Sequence, residues 1–105
     1  MPAVWTVLAA EAEVAEGKAV VREVGDLKIA LCRAEGKIYA IEDRCSHDDG
    51  PLGEGDLEGC IIMCPRHGAK FDIRTGEVVR MPAAFPCRTF PVKVEGGKVL
   101  VETGS

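Results

Sequence analysis

The chain has 105 residues, with 13 basic and 17 acidic side chains, a formal net charge of −4 and a pI near 5.2. That length is enough to bury one core without staples, so a single domain over 1–105 is expected, and the acidic balance argues against nucleic acid or anionic membrane as partners. No apolar run approaches the roughly 20 residues that span a bilayer, and Met1-Pro2-Ala3-Val4-Trp5 lacks the basic start of a signal peptide, so a soluble, cytoplasmic monomer is expected.

In chain order, short β-like runs separated by turns predict strands over Val4–Leu8, Lys18–Val24, Lys28–Arg33, Ile38–Glu42, Ile61–Met63, Lys70–Asp72, Arg88–Val94 and Lys98–Glu102. Gly25-Asp26, Glu35-Gly36, Thr75-Gly76 and Gly96-Gly97 supply turn residues between them. The alternation Phe90, Val92, Val94 against Val99, Val101 across Gly96-Gly97 predicts a C-terminal hairpin. Ala9 to Glu16 has room for a short helical turn and nothing longer. The expected fold is all-β, an antiparallel sandwich or barrel, with a small subdomain over about 45–86 inserted between outer strands. Trp5 and Tyr39 are expected in the core or on strand surfaces.

Two short motifs carry the chemistry. Cys45-Ser46-His47 and Cys64-Pro65-Arg66-His67 each offer one thiolate and one imidazole, and together they use both histidines of the chain. Zinc knuckles usually space their ligands two to four residues apart so that both reach one ion. The single residue between Cys45 and His47 is tight for that geometry. It suits a loop whose cysteine and histidine reach two adjacent ions, although a mononuclear zinc site in a β interaction module stays open. The other three cysteines, Cys32, Cys60 and Cys87, read as small buried hydrophobes, free thiols that suit a reducing compartment. Asp48, Asp49, Glu54, Asp56 and Glu58 crowd the stretch between the motifs. They form either a solvated surface or a patch that steers a basic docking face.

The two motifs, with Gly68-Ala69-Lys70-Phe71-Asp72, Thr75-Gly76 and Met81-Pro82-Ala83-Ala84, resemble the Rieske ferredoxins along the whole chain. The resemblance implies one [2Fe–2S] cluster, with Cys45 and Cys64 on one iron and His47 and His67 on the other. It also implies that the segment at Met81 to Ala84 covers the cluster from a third side and that the two imidazoles lie at an exposed tip. Arg66 is then either a flank of the electron path or a solvent-facing side chain, while Pro65 and Gly68 shape the loop. The membrane-anchored members carry an N-terminal helix, and none is expected here.

High-potential members carry a disulfide between their ligand loops and two hydroxyl donors to the cluster sulfurs. The matching positions here are Gly50 and Arg66, then Ala69 and Phe71, so a low potential is expected. With two histidines already assigned there is none left for a two-histidine, one-carboxylate iron centre, and no dinucleotide fingerprint is present. The expectation is an electron carrier and not an enzyme, moving one electron from a flavin-dependent reductase to a terminal oxygenase of an aromatic-ring dioxygenase system. A small Rieske subunit or accessory protein of another oxidoreductase, of the nitrite reductase kind, is the alternative.

Overall fold

The computed structural model describes residues 4–43, 55–64, 68–80 and 86–104. Among the described residues eleven strands follow in chain order: β1 Val4–Ala10, β2 Ala19–Val24, β3 Leu27–Ala34, β4 Lys37–Glu42, β5 Leu57–Glu58, β6 Ile61–Met63, β7 Lys70–Asp72, β8 Val78–Arg80, β9 Thr89–Phe90, β10 Val92–Glu95 and β11 Lys98–Gly104. They form three antiparallel sheets, ordered β1-β11-β10, β2-β3-β4-β9 and β5-β6-β7-β8. The third sheet falls, in sequence, between β4 and β9 of the second. The all-β, antiparallel expectation is borne out. Among the described residues no helix is long and apolar enough to cross a membrane.

Strand β3 explains how the sheets are stacked. Ile29 and Leu31 point to one side, packing with Ala40 and Phe90 of their own sheet, with Val14, and with Ala9, Val99 and Val101 of the β1-β11-β10 sheet. Ala30, Cys32 and Ala34 point to the other, meeting Ile62, Cys64, Ala69, Phe71 and Ile73 of the third sheet. Successive side chains of a strand alternate faces, so a strand buried on both faces reads as a continuous apolar run. The small residues on one face leave room for Phe71, which is fully buried. Each large aliphatic or aromatic side chain so enclosed contributes about 1.5–3 kcal/mol.

The expected run Arg88–Val94 is two strands. Thr89 and Phe90 pair with Ile41 and Ala40, whereas Val92 to Glu95 pair with Val101 to Lys98. Pro91 stands between them, and its missing N–H interrupts the ladder where the chain changes sheets. The predicted hairpin forms, with Val92 opposite Val101 and Val94 opposite Val99, although Val94 is exposed at the sheet margin. Two short strands were not expected, Leu57–Glu58 and Val78–Arg80. The possible helical turn over Ala9 to Glu16 is a single 3-10 turn, Glu11–Glu13, closed by the Glu13 carboxylate accepting the Ala10 amide at 2.8 Å.

The β3–β4 turn is fastened from outside. Glu16 accepts the amides of Glu35 and Gly36 at 2.9 and 3.0 Å, holding Glu35 at φ 54, a left-handed conformation uncommon for a side-chain-bearing residue. From there the Glu35 carboxylate accepts the Cys60 thiol at 3.0 Å, tying the second sheet to the third. Cys32, Cys60 and Cys87 are all buried, as expected. Trp5 and Tyr39 are half-buried strand residues, and the Lys93 ammonium lies over the Trp5 ring, 4.4 Å from its centroid.

Candidate metal centre

Of the four expected ligands, Cys64 lies among the described residues, while Cys45, His47 and His67 fall outside them. So do Gly50, Arg66, the Met81 to Ala84 segment, and Asp48, Asp49 and Glu54 of the acidic stretch. The described ends of these segments nevertheless define the roots of the site.

Cys64 follows directly on β6, 1 % exposed and packed with Ile62, Ala69 and Phe71. The β6–β7 ladder pairs Met63 with Lys70 and Ile62 with Phe71. Beyond it, the Cys64 amide donates to the Ala69 carbonyl at 2.7 Å and the Gly68 amide to the Cys64 carbonyl at 3.0 Å. The Cys64–Gly68 hydrogen bond closes a tight loop, and Gly68 leaves it at φ 76, a conformation open to glycine at no steric cost. Cys64 is therefore a buried, soft sulfur donor held by the backbone at the end of a strand, the kind of donor an iron–sulfur group takes. The residues present fit an iron–sulfur group in this respect. Ala69 and Phe71, both fully buried beside Cys64, bring no hydroxyl to it.

The first motif leaves from β4. The Asp43 amide donates to the Lys28 carbonyl at 2.8 Å and the Glu42 amide to the Arg88 carbonyl at 2.8 Å, so the strand stays anchored on both sides up to its last turn. Behind the second motif, β7 runs into a turn built on Asp72. Its carboxylate accepts the Arg74 amide at 2.9 Å and the Arg74 guanidinium at 2.8 and 3.0 Å. The guanidinium beside it holds the Asp72 carboxyl below the usual aspartate range. The Gly76 amide donates to the Asp72 carbonyl at 2.7 Å, and the Gly76 carbonyl accepts the Cys87 amide at 2.7 Å.

The thiols near the centre are held neutral. Burial, then the neighbouring Cys87 and Asp43, push the Cys32 thiol up to about 12. The hydrogen bond to Glu35, then burial, raises Cys60. A thiol kept protonated is a weak metal ligand, so Cys32 and Cys60 are suited to packing. What the sequence reading missed was the frame around the ligands: Glu16 under the β3–β4 turn, Gly76 against Cys87, and the Cys60–Glu35 bond. Only Glu35-Gly36 and Thr75-Gly76 gave a signal, as turns.

Residues 4–91 match the family model of the Rieske [2Fe–2S] domain. The chain is 41 % identical over 97 residues to the ferredoxin component of biphenyl 2,3-dioxygenase of Rhodococcus jostii strain RHA1, covering 92 % of this chain and 91 % of that one. Among solved structures it is similar to the Sphingomonas yanoikuyae B1 ferredoxin, with a TM-score of 0.91, 30 % identity, and coverage of 96 % of this chain and 100 % of that one. It is also similar to a chain in the complex of reduced oxygenase and oxidized ferredoxin in carbazole 1,9a-dioxygenase, with a TM-score of 0.89, 34 % identity, and coverage of 94 and 93 %. Sheets and end-to-end similarity agree, and the chain belongs to the Rieske [2Fe–2S] family as a ferredoxin, an electron carrier that holds one [2Fe–2S] cluster and is not itself a catalytic subunit.

Proposed function

We propose that this ferredoxin takes one electron from a flavin-dependent reductase and delivers it to the terminal oxygenase of an aromatic-ring dioxygenase system. The support is the near end-to-end similarity to the biphenyl dioxygenase ferredoxin component, together with a solved complex in which a similar chain occurs alongside an oxygenase. When bound, the [2Fe–2S] group supplies a one-electron couple. Cys45 and Cys64 would hold one iron as thiolates, and His47 and His67 would hold the other as neutral imidazoles. Two neutral ligands in place of two thiolates remove two negative charges, which favours electron uptake and places Rieske centres at about −150 to +300 mV.

Within that range the residues at hand favour the lower part. Ala69 and Phe71 donate no hydroxyl hydrogen bond that would stabilise added negative charge on sulfur, and Gly50 and Arg66 form no disulfide. With the cluster bound, the non-ligating N–H of His47 and of His67 would titrate on the alkaline side and would couple potential to pH. The chain acts as one domain, with its cluster-binding part at about 45–86. Asp56 and Glu58, exposed on the third sheet, belong to the acidic stretch that would steer a basic partner.

Reconstituted turnover tests this reading. With a flavoprotein reductase and a ring-hydroxylating oxygenase, product should form in proportion to added ferredoxin, and a redox titration should give a midpoint in the lower part of the range. A midpoint above about +150 mV, towards the upper end of that range, would overturn the low-potential assignment.

A further inference from the structure

Cys87 is no part of the ligand set, yet it stands where the segments framing the metal centre converge. Its side chain is buried in the same apolar cluster as Cys64, Ala69 and Phe71. Its amide donates to the Gly76 carbonyl at 2.7 Å, in the turn that follows the second ligand loop. Its sulfur lies 3.4 Å from the Glu42 carbonyl oxygen and 3.7 Å from that of Arg88, so Glu42 is the nearer acceptor for the S–H. Arg88, next in the chain, accepts the Glu42 amide. Glu42 is the last residue of β4, from which the chain leaves for Cys45 and His47.

Building on the ligand assignment proposed above, we propose that Cys87 is a positioning residue for the cluster. Its thiol and amide pin the root of the first ligand loop, at Glu42, to the turn behind the second, at Gly76. Cys87 thereby helps to set the separation of the two ligand pairs. A cysteine suits the place because its S–H is a weak donor that tolerates apolar surroundings. Packing alone is a different role, filled in the same cluster by Cys32 in the middle of β3.

The test compares holoprotein variants for cluster lifetime and thermal stability together. Visible absorbance is followed after an iron chelator is added. Cys87→Ala should lose its cluster about tenfold faster than the parent, the low end of what disturbed outer-shell partners cost a metal site. Cys87→Ser, which keeps a donor for the Glu42 carbonyl, should recover most of that loss. Cys32→Ala should melt earlier with an unchanged cluster lifetime. If Cys87→Ala melts earlier and keeps the parent lifetime, as Cys32→Ala does, the positioning role is overturned. Should Cys87→Ala fail to assemble, hydrogen exchange on the parent holoprotein decides. The Cys87 and Glu42 amides should exchange as slowly as the β3–β4 ladder, and fast exchange at either overturns the proposal. A parent protein lacking nitrogen ligation would instead overturn the ligand assignment, so the two failures are distinguishable.

Discussion

Gly76 and Cys87 meet closely enough to exclude any side chain at position 76. The Cys87 amide donates to the Gly76 carbonyl at 2.7 Å, and a Cβ built on Gly76 would overlap the Cys87 carbonyl oxygen. Gly76 also sits at φ +80. Glycine is required there twice over, once for the backbone conformation and once for the approach.

Gly76→Ala should therefore cost more than Gly25→Ala, which shares a positive φ but has nothing within 4 Å of the added carbon. The conformational part is about 1–2 kcal/mol in both, and the overlap adds roughly 1–3 kcal/mol at Gly76 alone. Denaturant unfolding of the two variants measures the difference. Equal losses would mean that the turn yields without strain.

Adding donors beside Cys64 should raise the midpoint potential. Ala69→Ser and Phe71→Tyr each place a hydroxyl at a fully buried position in the cluster of side chains around Cys64. A hydrogen bond worth about 1 kcal/mol more to the reduced state corresponds to about 40 mV for one electron. Redox titration of each variant reads the shift. An unchanged potential in both would mean that these positions do not face sulfur.

Stability should fall at alkaline pH because of Cys32. Its folded-state pKa, about 12, lies above that of an unfolded cysteine, near 8.5. The contribution is fully present below the unfolded value. As pH rises from there towards about 12, the unfolded chain releases a proton that the folded one keeps. Unfolding free energy should drop by about 1.4 kcal/mol per pH unit for that thiol. Cys60, raised as well, adds in the same direction. Melting curves from pH 8 upward should show the decline, and Cys32→Ala should flatten it.

Glu16 should matter more than an exposed glutamate normally does. Glu16→Ala removes the acceptor of two backbone amides at the β3–β4 turn and frees Glu35 from its left-handed conformation. A loss of about 1–2 kcal/mol is expected, read by thermal unfolding, with no change in redox midpoint.

Most strands were readable in the sequence because their signal is local, and the proposed ligand pairs rest on an equally local pattern. Cys-x-His beside Cys-x-x-His lies in one short stretch, and β3 declares itself by Ile29-Ala30-Leu31-Cys32, apolar at every position since both faces are covered. What escaped depends on distant partners. Val78–Arg80 ends its sheet with Val79 exposed, so it lacks a clean apolar alternation. Leu57–Glu58 is two residues long, too short for any pattern. The break at Pro91 has a local sign, the missing N–H, but the switch of sheet exists only once Ile41 and Val101 are in place. Gly76 and Glu35 showed in the sequence as turn residues, but nothing local names Cys87 and Cys60 as the partners they meet.

Nitrogen ligation is the point on which the electron-carrier chemistry turns. Pulsed electron paramagnetic resonance of the dithionite-reduced protein detects the nuclear spin of ligand nitrogen. Two strongly coupled imidazole nitrogens are predicted, with one lost on replacing His47 or His67 if any cluster remains. A reduced cluster whose spectrum shows no such nitrogen coupling would contradict the assignment of Cys45, His47, Cys64 and His67.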